Sequence, residues 1–153
     1  MDFSYSARTD ALLETLETFM TDHVLPAEKV YDAQIAANTN KHEQPAVMRE
    51  LQETARSQGL WNLFMTHDGL GAGLTNLEYA PLAEVVGRSI IGNEAINCSA
   101  PDTGNMEILA MFGTEEQKKD WLEPLLDCRI RSAFAMTEPA VASSDATNIT
   151  STI

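Results

Sequence analysis

The residues that could do chemistry lie near the end of the 153-residue chain, where a short apolar run is followed by hydroxyl side chains. Residues 133–137 have the composition of a β-strand, and Pro139 would stop strand pairing just after them. Backbone amides left unpaired beyond this point, together with the hydroxyls of Thr137, Ser143 and Ser144, could bind a ring or a pyrophosphate. A structural turn is the competing interpretation, because turns commonly contain proline and serine.

Other patterns that could mark a catalytic or metal site have simpler structural interpretations. The glycines of residues 69–73 do not predict a dinucleotide-binding loop, because such a loop follows a strand and the pattern here is helical. His23, His42 and His67 lie far apart, with no second ligand three or four residues away, so no metal site is predicted. The sequence also lacks a nucleophile motif, and we assign no catalytic residue to this chain.

The composition argues against some classes of partner and favours an intracellular protein. Ten basic and twenty-three acidic residues give a net charge of −13, which opposes binding to nucleic acid. No apolar run is long enough to span a membrane, and the first ten residues resemble neither a secretory signal nor a transit peptide. Cys98 and Cys128 lack redox or metal-binding spacing, which indicates reduced structural thiols in an intracellular protein. We therefore expect a cytoplasmic location, or a compartment reached by a signal beyond Ile153.

Hydrophobic periodicity predicts helices in the first part of the chain. Pro26 is expected to interrupt the first helix and to begin a second short helix that continues to about Ala36. A third helix should follow a polar loop and end at Gly59. The residues predicted to face inward from the first and third helices are Leu12, Leu13, Leu16, Phe19, Met20, Val24, Val47, Met48, Leu51 and Ala55.

Two capping boxes mark later helices. Thr75 with Glu78 predicts the start of a helix that ends at Gly87, and Thr114 with Gln117 predicts the start of the last helix. Between them, residues 99–102 could open a helix that continues to Gly113, which makes six predicted helices and a helical bundle. The last helix is expected to bury Trp121, Leu122, Leu125 and Leu126, with an irregularity at Pro124.

Three stretches in a fixed order resemble the acyl-CoA dehydrogenases. They are Leu-Glu-Tyr-Ala-Pro-Leu-Ala-Glu at residues 77–84, Met-Phe-Gly-Thr-Glu-Glu-Gln-Lys-Lys-Asp-Trp-Leu-Glu-Pro-Leu at 111–125, and Ala-Phe-Ala-Met-Thr-Glu-Pro at 133–139. The continuation at residues 141–149, Val-Ala-Ser-Ser-Asp-Ala-Thr-Asn-Ile, resembles the branch that includes family members ten and eleven. The resemblance covers the whole chain.

This resemblance implies a fold and a cofactor. It implies an all-α N-terminal helical domain over residues 1–129, followed by the first strand of an incomplete middle β-domain over residues 130–153. In the family, FAD lies between the β-domain and a C-terminal helical domain, beside the Thr-Glu-Pro strand.

Residue by residue, the resemblance also implies a set of binding residues. Phe134, Met136 and Thr137 would line the flavin, and the Thr137 hydroxyl would hydrogen-bond its ring. Ser144, or Ser143 in the alternative register, would contact both the cofactor and the acyl-CoA substrate. The register is open because most members have glycine before a single Ser-Asp, whereas this chain has Ala142 and two serines.

The resemblance implies that the complete protein oxidises an acyl-CoA thioester at the α,β bond, and we expect it to form a homo-oligomer. We expect this chain alone to be inactive, because the family's catalytic carboxylate belongs to the C-terminal helical domain and the chain resembles the first part of a larger protein. The alternative is a free-standing helical module that serves protein association. A bundle separated from its β-domain should expose residues 60–65 or the last helix, and should self-associate.

Overall fold

The computed structural model describes residues 4–40, 43–67, 69–142 and 145–152, which form a bundle of helices with no strand in these ranges. None of the helices in this described part is both long and apolar enough to cross a membrane. The helical elements confirm the predicted all-α class. The elements are α1 (Ala7–Phe19), a first π-helical turn (Met20–Val24), α2 (Leu25–Ala37), α3 (Ala46–Ser57), α4 (Asn76–Val86), α5 (Gly92–Ala95), α6 (Asp102–Phe112), α7 (Glu115–Gln117), a second π-helical turn (Lys118–Leu122), α8 (Glu123–Leu126) and a 3₁₀ turn (Ala146–Asn148).

As predicted, Pro26 lies in the first turn of a second helix, α2, but the backbone does not leave the helical conformation between α1 and α2. The backbone stays helical from α1 through the first π-helical turn into α2, where the Leu25 amide donates to the Met20 carbonyl five residues back. Proline has no N–H to donate, and the wider turn changes the hydrogen-bond register just before Pro26, so the helix continues. The second π-helical turn precedes Pro124 in the same way, which confirms the irregularity predicted there.

The core lies where α1 packs against α4 and α3 packs against α2 and α5. The inward-facing residues predicted for α3 are all buried, and the predicted stripe of α1 is buried from Leu16 onward, with Leu12 and Leu13 half-buried. Residues 60–65, one of the two stretches for which we expected exposed apolar surface, instead contribute four buried side chains to this core: Leu60, Leu63, Phe64 and Met65.

Helix ends follow the sequence closely. Both capping boxes form, since Thr75 pairs with Glu78 and Thr114 pairs with Gln117 through side chain and backbone. Gly59 ends α3 with a φ of +73°, and the amide of the next residue, Leu60, donates to the Ala55 carbonyl at 2.9 Å. This is the hydrogen-bond pattern that favours glycine after a helix.

The end of α8 is capped by side chains from other parts of the bundle. The Leu126 carbonyl accepts hydrogen bonds from Trp61 Nε1 at 2.8 Å and from Asn62 Nδ2 at 3.1 Å. The Asn97 Nδ2 atom donates to the Leu125 carbonyl at 3.1 Å. These bonds satisfy carbonyls that a helix leaves without partners, and they fix the point from which the terminal segment starts.

Two predictions about the last part of the chain are corrected by the structure. Trp121 is 57% exposed because it lies on the outer side of the second π-helical turn, while Leu122 and Leu125 point inward. Residues 131–138 have no regular secondary structure, so the strand predicted at residues 133–137 is not formed here. A strand is stable only when its amides and carbonyls pair with a neighbouring strand, and the described residues supply none.

Candidate functional site

The terminal segment, defined as residues 130–142, leaves the bundle at the end of α8 and lies beside α6. A Cβ atom placed on Gly104 of α6 would lie 3.8 Å from Cζ of Phe134. Phe134 is 61% exposed, and Met136 and Thr137 are also exposed. The three residues predicted to line a flavin therefore present their side chains at the surface.

A mostly apolar groove of about 640 Å³ opens beside the terminal segment. One wall comes from α6 and from the second π-helical turn, and the other wall comes from the start of the terminal segment. The apolar residues that line it are Ile108, Leu109, Trp121, Leu125, Ile130 and Ala133. The segment predicted to carry the cofactor site thus borders an apolar depression.

A buried carboxylate fixes the start of the terminal segment. Asp102, the first residue of α6, is only 2% exposed. Its oxygens accept hydrogen bonds from Arg131 Nε at 2.6 Å, from the Ser132 amide at 2.7 Å and from the Ser132 hydroxyl at 2.6 Å. Asn105 Nδ2 donates to the same hydroxyl at 2.7 Å, so two residues of α6 hold Ser132. A buried charge needs such partners, and here they come from the segment to be positioned.

Arg131 joins this carboxylate to a second one. Its Nη1 atom lies 2.8 Å from Oε1 of Glu94, which is in α5, while its Nε atom bonds Asp102. Partial burial lowers the pKa of Arg131, but its hydrogen bonds and charge pairing with Glu94 and Asp102 more than compensate, so the net pKa is raised. Arg131 therefore stays charged and links α5, α6 and the terminal segment.

Further along, Glu138 binds a pair of residues beyond the next loop. Its carboxylate accepts from the Thr150 hydroxyl at 2.8 Å and from the Ser151 hydroxyl at 2.5 Å. It also accepts from the Thr150 amide at 3.1 Å and from the Ser151 amide at 2.8 Å. These hydrogen bonds, led by the Ser151 hydroxyl, lower the pKa of Glu138 to about 2. The carboxylate is therefore ionised at neutral pH.

Between Glu138 and Thr150, the carboxylate of Asp145 also has hydrogen-bond partners. The Asp145 carboxylate accepts from the Thr147 hydroxyl at 2.7 Å and from the Thr147 amide at 3.0 Å, and these bonds lower the pKa of Asp145. Ser143 and Ser144, the alternative substrate and cofactor contacts, lie outside the described residues. His42 of the histidine analysis also lies outside them.

The glycine-rich stretch at residues 69–73 has a structural role. Gly69 and Gly73 have φ values of +80° and +61°. A Cβ atom on Gly71 would lie 2.6 Å from the Asn62 carbonyl oxygen, so only glycine fits against that turn. This agrees with the interpretation of the stretch as a loop between helices.

Sequence reasoning missed three residues that position the terminal segment: Asp102, Arg131 and Glu138. The sequence indicates Asp102 only as a helix-opening residue, and Glu138 only as part of the Thr-Glu-Pro stretch. A partial signal existed, since a basic residue next to serine just past the last helix is suited to bind a carboxylate. Nothing in the spacing identified Asp102, which lies 29 residues earlier, as that carboxylate.

Comparison with known proteins identifies the family. The family model described as "Acyl-CoA dehydrogenase, N-terminal domain" matches residues 6–129. FadE2 of Mycobacterium tuberculosis, named a probable acyl-CoA dehydrogenase, is 57% identical over 155 residues, which cover 100% of this chain and 37% of that protein. Acyl-CoA dehydrogenase family member 11 of Gallus gallus is 48% identical over 96% of this chain and 19% of its own length.

Family member 10 of Mus musculus is 51% identical over 93% of this chain and 14% of its own length, so the resemblance to members ten and eleven is confirmed. A solved structure from Mycobacterium abscessus that bears the acyl-CoA dehydrogenase name has a TM-score of 0.85 and 48% identity, and it covers 95% of this chain and 38% of that one. The chain spans well under half the length of these relatives. It belongs to the acyl-CoA dehydrogenase family, and it matches the N-terminal helical domain.

Proposed function

We propose that this chain is the N-terminal portion of an FAD-dependent enzyme that oxidises an acyl-CoA thioester at the α,β bond. The observation that carries the proposal is the combination of a family match over residues 6–129 with a terminal segment held against α6 by Asp102. We take the domain boundary to lie after residue 129, so that residues 130–153 begin the middle β-domain. The chain then contributes one edge of a flavin site.

The residues present fit one edge of a flavin. Phe134 and Met136 offer exposed apolar surface to a planar ring, and the exposed Thr137 places a hydroxyl beside them. When bound, the flavin would accept the hydride from the substrate β-carbon. Phe134 and Met136 would exclude water from one side of the ring, and Thr137 would donate a hydrogen bond to it. Ser144, or Ser143 in the alternative register, would contact both cofactor and thioester.

We further propose that the chain alone does not catalyse the reaction. Catalysis needs a carboxylate free to take the substrate α-proton, held close to the flavin. Asp102 is occupied by Arg131 and Ser132, and Glu138 is occupied by Thr150 and Ser151. Both carboxylates therefore already have structural partners. Glu138 directly follows the proposed flavin edge in the sequence, and Asp102 is bonded to the start of the terminal segment.

A substitution at Thr137 tests the flavin assignment in the native protein. Thr137→Val should weaken FAD binding roughly three- to tenfold, because it removes one hydrogen bond while keeping the side-chain shape. Thr21→Val is the matched control, since Thr21 is an exposed threonine in the first π-helical turn. Equal FAD dissociation constants for the two variants would refute the assignment, as would a native protein that neither binds FAD nor oxidises acyl-CoA.

A second candidate function is favoured by the exposed apolar surface of α6 and its neighbour. Ile108, Met111, Phe112 and Trp121 are all more than half exposed. Such a surface suits protein association, either within a homo-oligomer of the enzyme or in a module without catalysis. Sedimentation of the native protein separates these possibilities from a monomer.

The free thiols of Cys98 and Cys128 accord with a cytoplasmic location, which we also propose.

A further inference from the structure

Within the part of the chain that the structure describes, the terminal segment is hydrogen-bonded to the helices only at its start. Arg131 and Ser132 make these bonds, and the described residues 133–137 make none to the bundle. An extended chain spans at most about 3.6 Å per residue, so the Cα atom of Phe134 lies no more than about 11 Å from that of Arg131. The placement of the proposed flavin edge therefore depends on how Arg131 and Ser132 are held.

Most of these bonds tie the segment to one helix. Asp102 accepts from the Arg131 Nε atom and from the Ser132 amide and hydroxyl, and Asn105 donates to the same hydroxyl. Asp102 and Asn105 both belong to α6 and lie less than one turn apart. Anchors on a single helix leave the segment able to pivot about that helix, so a contact from elsewhere is needed to set its direction.

Glu94 supplies that contact from a different helix. Its Oε1 atom lies 2.8 Å from Arg131 Nη1, and this bond joins the segment to α5. Glu94 is itself held, because its carbonyl oxygen accepts from Gln52 Nε2 at 3.2 Å and its Oε1 atom accepts from Gln44 Nε2 at 3.4 Å. Gln52 is a buried residue of α3. The side chain of Glu94 therefore projects from a point that is fixed to the core.

We propose that Glu94 is a positioning residue: acting through Arg131, it sets the direction in which the terminal segment leaves the bundle, and with it the placement of Phe134 and Thr137 for the flavin reaction. The inference rests on the proposed function for the identity of the reaction, whereas the bridge from α5 to the segment does not depend on it. Asp102 keeps the segment attached and Glu94 sets its direction, so the two carboxylates have separate roles.

The bridge requires a guanidinium group. Arginine presents its N–H donors in a rigid fork, so one side chain bonds two carboxylates from two directions, whereas the lysine ammonium is a compact charge on a flexible stem. Arg131→Lys therefore keeps the charge but loses one of the two carboxylates. It should keep Asp102, because an unpaired charge costs more when it is buried, and the Asp102 side chain is 3% exposed against 24% for Glu94. Glu94→Gln and Arg131→Lys should consequently share one defect.

The test measures the position of the segment and the reaction separately in the native protein. Trp121 lines the same groove as residues 130–133, so the fluorine NMR resonance of a fluorinated Trp121 reports movement of the segment whether or not flavin binds. This resonance should shift in both Glu94→Gln and Arg131→Lys. In both variants kcat for acyl-CoA oxidation should fall roughly tenfold or more, because a misplacement of about 1 Å costs up to about 100-fold.

Two further readouts separate positioning from binding and folding. KM for acyl-CoA should change less than about threefold, since Glu94 and Arg131 are bonded to each other and not to the substrate. The thermal midpoint should fall by less than about 4 °C, because the Arg131 side chain is 45% exposed and such pairs contribute little to stability. Arg129→Lys is the matched control, since Arg129 pairs with Asp127 at the surface, and it should change neither the fluorine resonance nor kcat.

Each outcome decides a specific claim. An unshifted resonance in both test variants overturns the bridge, and a shifted resonance with unaltered kcat overturns the positioning role. A shifted resonance in a native protein that neither binds FAD nor oxidises acyl-CoA supports the bridge and refutes the proposed function instead. The double variant should be no more impaired than Arg131→Lys alone, and additive losses of kcat would overturn the action of Glu94 through Arg131.

Discussion

Removal of the buried Asp102 carboxylate should destabilise the chain by about 3 kcal/mol. In Asp102→Ala, the Ser132 amide and hydroxyl and the Nε atom of Arg131 all lose their acceptor. The chain past α8 would then be released from α6, while the rest of the bundle keeps its core. The substitution therefore tests the claim that one helix-opening residue holds the terminal segment in place.

The magnitude follows from the three hydrogen bonds and from the exposure of the partners. Breaking a buried charge pair typically costs about 3–5 kcal/mol, and hydrogen bonds to charged groups contribute about 1.5–3 kcal/mol each. The side chain of Arg131 is 45% exposed and keeps Glu94 at 2.8 Å, so its share must be discounted for solvent screening. About 3 kcal/mol remains for Asp102→Ala. Asp102→Asn, which can still accept from Ser132, should lose about 1–2 kcal/mol.

Urea and thermal unfolding followed by circular dichroism measure this effect. For a chain of this size, 3 kcal/mol corresponds to a drop of roughly 6–12 °C in the midpoint. Glu115→Ala is the matched control, because Glu115 is also the first residue of a helix but is 93% exposed and pairs with Lys118 at the surface. It should lose under about 1 kcal/mol. If Asp102→Ala is no more destabilised than Glu115→Ala, the proposed anchoring of the terminal segment is wrong.

Three further predictions concern glycines and thiols in the helical domain. Gly71→Ala should destabilise the chain by about 1–3 kcal/mol, because the added Cβ atom would lie 2.6 Å from backbone. Gly104→Ala, where the nearest atom is 3.8 Å away, should instead stabilise α6 by up to about 1 kcal/mol. Urea unfolding measures both changes, and the reverse order of stabilities would contradict the packing. Cys128→Gly should stabilise by about 1 kcal/mol in the same assay, since Cys128 has a φ of +54°, and a loss of stability would show that its half-buried side chain matters more. Burial raises the pKa of the Cys98 thiol from 9.0 to about 11. The contribution of Cys98 to the free energy of unfolding is therefore complete below pH 9 and is lost as the pH rises towards 11. The same decline of stability with pH in a Cys98→Ala variant would refute this.

Local signals in the sequence predicted most of the helices and their ends. Thr75 with Glu78, Thr114 with Gln117, and Gly59 act through bonds that span only a few residues, so the sequence determines them directly. The π-helical turn just before Pro26 could not be predicted in this way, because it is an adjustment of backbone register. No side-chain pattern announces such a turn.

The positioning contacts could not be predicted in this way, because they join residues far apart in the sequence. Asp102 and Ser132 are 30 residues apart, and Glu138 and Ser151 are 13 apart. Neither pair has a periodic pattern or a motif that couples its members. The burial predicted for Trp121 is wrong for a related reason. A π-helical turn rotates side chains relative to the α-helical pattern from which their burial was predicted. Phe134, Met136, Thr137 and the two serines remain predictions for the flavin site.

The central claim is that this chain is the N-terminal portion of a flavin-dependent acyl-CoA dehydrogenase. The most direct test is the intact mass and flavin content of the native protein, captured from its source with an antibody to the helical domain. Our account predicts a polypeptide well above 16.8 kDa with one FAD bound per chain. A native polypeptide of 16.8 kDa without flavin would contradict it and would favour the association module.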